Sequence, residues 1–153
     1  MKNFALFIVF IFSVSLSAQD INWMSLEQAE AEMKNSPEKP LFIDFYTDWC
    51  GWCKKMDAST FKEAEVVKHI NENYIPVKFD AEMKSEVKFR GKTYKYVRPQ
   101  TGGRGVHSFA YFSLRGKLSY PAYAVINQEG RLQKLMLGYM PKSQLLENLS
   151  QIQ

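Results

Sequence analysis

Phe45-Tyr46-Thr47-Asp48-Trp49-Cys50-Gly51-Trp52-Cys53-Lys54-Lys55-Met56 holds both cysteines of the 153-residue chain. Upstream, Leu41-Phe42-Ile43-Asp44-Phe45-Tyr46 is a short apolar run after Pro40, the pattern of a central strand covered on both faces. From Gly51 the spacing turns helical through Met56. The cysteines therefore sit where a strand gives way to a helix. A first cysteine at a helix N-terminus has its thiolate stabilised by unpaired amides and the helix dipole. Cys50 is thus the candidate nucleophile, expected to be exposed. Cys53, one turn inside and expected to be shielded, is placed to resolve the mixed disulfide that Cys50 forms.

Two other readings of the pair are open. A plain structural bridge would gain little from so short a loop. A zinc site would need two more ligands, but no second cysteine pair exists, and His69 and His107 are not at ligand spacing. Covalent haem would need histidine where Lys54 stands. No metal and no cofactor are expected.

Outward from this stretch, Ser25 caps a helix that runs out at Asn35-Ser36-Pro37. Glu63 to Ile70 continues the helical pattern after an interruption at Asp57 to Thr60, and Tyr74 to Asp80 reads as a second strand, parallel to the first. Val87-Lys88-Phe89 and Tyr94 to Val97 suggest a hairpin around Arg90-Gly91-Lys92. Pro99 to Gly105 is a loop, and Val106 to Leu114 a helix. Ala122 to Ile126 and Leu132 to Leu137 make an antiparallel hairpin, followed by a helix from Pro141 to Leu149.

Met1 to Ala18 reads as a secretory signal peptide: Lys2, nine apolar residues from Phe4 to Phe12, then a small-residue tail. The remaining stretch, 19–153, fits one domain. The net charge of +4 is too small to imply nucleic-acid binding. Lys84, Lys88, Arg90, Lys92, Lys95, Arg98 and Arg104 face a single acid, Glu86, so the excess positive charge lies in one segment.

The segment around the cysteines resembles the active site of the thioredoxin family. Asp44 matches that family's buried strand aspartate, Lys78 its lysine partner, Tyr120-Pro121 its cis-proline loop and Gly138 a glycine of the last strand. The chain is most similar to exported bacterial thioredoxin-like proteins and to the periplasmic domain of the transmembrane thiol-disulfide interchange reductase. The resemblance implies an α/β thioredoxin fold, a central mixed β-sheet flanked by helices, with 81–105 as a basic insert before the third main helix.

It also implies a thiol-disulfide oxidoreductase acting on disulfide-containing exported proteins, periplasmic and monomeric. Asp44 would relay the Cys53 proton. Tyr120 and Pro121 would dock an extended client beside a rim of Trp49, Gly51 and Trp52. Gly51-Trp52 departs from the family's usual residues between the cysteines. With no histidine there and Asp48 close by, we expect a reductant or isomerase recharged by a membrane electron donor. The alternative is a non-catalytic partner-binding module that uses the insert, with Phe89, Tyr94 and Tyr96 among its cations.

Overall fold

The computed structural model describes residues 20–100 and 102–152. The signal-peptide reading of 1–18 lies outside them. Helix α1 (Leu26–Asn35) starts at a capping box in which Ser25 and Gln28 satisfy each other's backbone amides. Strand β1 (Leu41–Tyr46) follows, then α2 (Gly51–Ala58), a 3-10 turn (Thr60–Lys62), α3 (Ala64–Asn73) and β2 (Ile75–Asp80). The break between α2 and α3 falls at Ser59, whose hydroxyl donates back to the Lys55 carbonyl.

Four strands form the sheet in the order β2-β1-β7-β8, where β7 is Ala122–Ile126 and β8 Leu132–Leu137. β1 and β2 are parallel, whereas β7 runs antiparallel to both β1 and β8. α5 (Lys142–Ser150) is the last element among the described residues. Alternation along β1 separates two apolar layers. Ile43 and Phe45 join α1 and α4 (Ser108–Ser113) on one face. Phe42 joins Met56, Phe61, Val66, Ile70, Tyr123 and Leu145 on the other. This mixed sheet with flanking helices is the architecture expected from the sequence.

The insert differs in detail from the sequence reading. Its first hairpin is shorter, pairing β3 (Val87–Phe89) with β4 (Lys92–Tyr94) across Arg90-Gly91, both at positive φ. β5 (Tyr96–Val97) instead pairs with β6 (Val106–His107), so α4 begins two residues later than its periodicity suggested. A Cβ at Gly105 would collide with the Tyr96 ring and the Val97 carbonyl, so this return strand requires glycine.

The insert is also bound into the core. Val87 and Phe89 are buried, and Phe89 and Tyr94 both pack edge-on to Phe109. Arg90 is tied to the Gln128 carbonyl, and Lys95 pairs with Glu86. The aromatic residues expected to dress a partner surface therefore serve mainly as packing. Phe89→Ala should cost about 3–5 kcal/mol, read as a lowered urea midpoint with the m-value unchanged.

Candidate active site

Parallel pairing of β1 with β2 and antiparallel pairing of β1 with β7 bring four chain segments to one end of the sheet. These are the exits of β1, β2 and β8 and the entry to β7. The Trp49–Cys53 segment, Asp80–Glu82, Tyr139 and Tyr120-Pro121 converge there. A cleft of about 560 Å3 lies at the opposite end, lined by Pro37, Pro40, Asn127 and Gln133 and by none of these residues.

Cys50 is the N-cap of α2 and is disulfide-bonded to Cys53. Its sulfur accepts the Cys53 backbone N–H at 3.0 Å, so one of the helix's unpaired amides points at the atom that would carry the thiolate charge. Both cysteines are 4% exposed, which differs from the expected contrast between an open Cys50 and a shielded Cys53. The disulfide bonds the Cys50 sulfur to a partner that is itself buried. Exposure belongs instead to the flanking rings, Trp49 at 51% and Trp52 at 56%. Trp52 lies tilted against Tyr139, ring centres 5.5 Å apart, with the Lys55 ammonium over both rings. Gly51 opens the helix between the tryptophans, and a Cβ there would meet nothing within 4 Å.

In the strand that leads into the disulfide segment, Asp44 sits 2% exposed in the middle of β1. The parallel register sets it opposite Lys78, whose Nζ lies 3.2 Å from Asp44 Oδ2. Burial pushes the Asp44 carboxyl up to about 6, against the opposing pull of the Lys78 charge. Its Oδ1 has no hydrogen-bond partner within the protein. Burial pulls Lys78 down, but Asp44 and Asp57 outweigh it and leave the ammonium above its ordinary value.

Asp57 was not singled out from the sequence. It lies four residues after Cys53, on the same side of α2, and accepts a hydrogen bond from Lys78. Trp23, Tyr46 and Phe61 box the same ammonium. A cleft of about 320 Å3 lined by Asp20, Trp23, Asp57 and Lys78 joins this group to solvent. The one signal in the sequence was the helical spacing of Asp57 from Cys53.

Tyr120 precedes the single cis peptide bond among the described residues, Tyr120-Pro121. Its ring meets Trp49 edge-on at 6.1 Å. Burial, then the charges of Glu82 and Asp80, push its phenol up to about 12, so it stays neutral. Gly138 falls one residue beyond β8, not within it. At φ +84 it turns the chain so that its N–H reaches the Pro121 carbonyl at 2.8 Å.

Comparison with known proteins bears on the family and the fold. The family model Thioredox_DsbH, described as a protein of unknown function (DUF255), matches residues 12–140. The thiol:disulfide interchange protein DsbD of Photorhabdus laumondii is 27% identical over 104 residues. That match covers 67% of this chain but 16% of DsbD, so the chain spans about one sixth of that relative's length. The C-terminal domain of Neisseria meningitidis DsbD superposes with a TM-score of 0.57 at 22% identity, covering 83% of this chain and 91% of that one. A DsbH oxidoreductase superposes with a TM-score of 0.59 at 18% identity, covering 99% and 94%. The chain belongs to the Thioredox_DsbH family and is a thioredoxin-like protein that resembles the C-terminal domain of DsbD.

Proposed function

We propose that the chain is a thiol-disulfide oxidoreductase for exported proteins, working as a reductant or isomerase. The observation that carries the reading is the Cys50–Cys53 disulfide at the start of α2, backed by the pairing of buried Asp44 with half-buried Lys78. A partner-binding module has no use for a buried carboxylate raised to about 6 in the strand that leads into a Cys-x-x-Cys helix.

In the reducing direction the Cys50 thiolate attacks one sulfur of a client disulfide. A mixed disulfide forms and the first client thiolate leaves. Cys53 gives its proton to Asp44 and attacks the Cys50 sulfur, releasing the second client thiolate. The client gains two electrons and the protein is left as the disulfide. An external dithiol, in the cell a membrane electron donor, then returns it to the reduced form. Asp57 and Lys78 connect Asp44 to solvent, and Tyr120-Pro121 with the two tryptophans receive the client backbone.

On this reading residues 1–18 are a leader and 19–153 one thioredoxin-like domain, acting as a monomer in the periplasm. Catalysed insulin reduction with dithiothreitol as donor tests the reading. We expect clear acceleration, and a glutathione titration placing the couple on the reducing side of the strong oxidants, whose potential is about −120 mV. No acceleration, with a potential at that oxidising end, would reverse the direction assigned.

A further inference from the structure

The two ends of the insert meet on the ring next to the candidate nucleophile. Glu82 lies just after β2 and Arg104 just before β6, 22 residues apart in sequence. Trp49 Nε1–H donates to Glu82 Oε1 at 3.0 Å. Arg104 Nη1 reaches Glu82 Oε2 at 3.4 Å, and its guanidinium lies 5.1 Å from the centre of the Trp49 ring. Both carboxylate oxygens of Glu82 are thus occupied. Its backbone N–H is fixed in turn by Asp80 Oδ1 at 2.9 Å. The stem below is closed by His107 N–H to the Ala81 carbonyl at 2.7 Å.

A tryptophan as exposed as Trp49 would ordinarily sample several rotamers. Here its indole N–H, one face and one edge are engaged by Glu82, Arg104 and Tyr120, which come from three separate chain segments. The opposite rim is built differently. Among the described residues, Trp52 has Tyr139 and the flexible Lys55 as its ring partners and no hydrogen bond from its indole N–H, so one wall beside the disulfide is fixed and the other adaptable.

We propose that Glu82 and Arg104 are positioning residues that lock Trp49 and Tyr120 into a preformed wall for a polypeptide client, so that the insert tunes affinity for proteins over small disulfides. The proposal rests on the thiol-exchange reading for its kinetics, and on the clamp alone for its structure. Ordering a side chain before binding removes a cost of about 0.5–1.5 kcal/mol from association. Losing the clamp should therefore raise KM for a protein client about two- to tenfold, with kcat little changed. A disulfide too small to span the wall should feel little of this.

The test compares Glu82→Ala, Glu82→Gln, Arg104→Ala and Arg104→Lys in the full chain, with insulin and bis(2-hydroxyethyl) disulfide as substrates. Both alanine variants should raise the insulin KM with the small disulfide almost unaffected. Glu82→Gln, which keeps an acceptor for the indole, should recover much of the loss. Independently of turnover, the Trp49 indole N–H signal in 15N NMR should be protected from exchange in the wild type and in Glu82→Gln, and lose protection in Glu82→Ala. An unchanged insulin KM in both alanine variants, or equal losses on both substrates, would overturn the proposal. So would an indole signal indifferent to Glu82→Ala. A wild type that turns over neither disulfide would sink the exchange reading, with the clamp still judged by the indole signal.

Discussion

Replacing Cys50 by serine is expected to drop insulin reduction to the uncatalysed background, whereas Cys53→Ser should accumulate covalent adducts with disulfide-bearing proteins. The difference follows from where each sulfur stands on α2. Cys50 is the N-cap, and the Cys53 N–H already donates to its sulfur at 3.0 Å. On reduction that donor and the helix terminus stabilise a thiolate at Cys50. Cys53 lies inside the first turn, so its part is to attack the Cys50 sulfur once a mixed disulfide exists. A serine hydroxyl cannot take over either step near neutral pH, because the nucleophile in exchange is a thiolate. Cys53→Ser therefore keeps the first attack and loses the release. Non-reducing gels should show adducts for Cys53→Ser that dithiothreitol removes, and none for Cys50→Ser. Adducts on the Cys50→Ser variant instead would exchange the two roles.

Much of this arrangement could be read from residue order. A buried apolar strand, then Cys-x-x-Cys opening a helix, then a second strand dictates a parallel pair, and the family resemblance set Asp44 against Lys78, which the register of that pair bears out. What could not be read was tertiary in origin. The insert's cations looked like a docking surface, because nothing in their spacing shows that Phe89 and Tyr94 are needed to cover Phe109. Val106 and His107 carry helix-compatible spacing, yet they are drawn into a strand by Val97 and Tyr96, nine and eleven residues away. Glu82 and Arg104 are unremarkable in sequence, and only the closure of the insert brings them to Trp49. Asp57 lay in the gap between two helical patterns, where a solvent-exposed acid would be the default reading.

Asp44→Asn is expected to slow exchange near pH 7 by about 10- to 100-fold, the range in which a positioned acid or base commonly contributes, while making the folded chain more stable. Both effects come from one carboxyl raised to about 6 by burial. As a base, Asp44 must be ionised to take the Cys53 proton, so the wild-type rate should climb with pH through about 6. The Asn variant should lack that limb. For stability, the folded carboxyl holds its proton more tightly than the ordinary value of 3.8. Its favourable contribution is thus complete below about pH 3.8 and is lost as pH rises through about 6. That interval corresponds to about 3 kcal/mol, an upper bound on what Asn can recover. Lys78 would lose one partner but keep Asp57. The melting temperature of Asp44→Asn should accordingly rise relative to wild type between about pH 4 and pH 6 and hold a steady gap above that. A gap that stays constant from pH 4 to pH 6, with identical pH–rate profiles, would reduce Asp44 to a strand residue with no part in proton transfer.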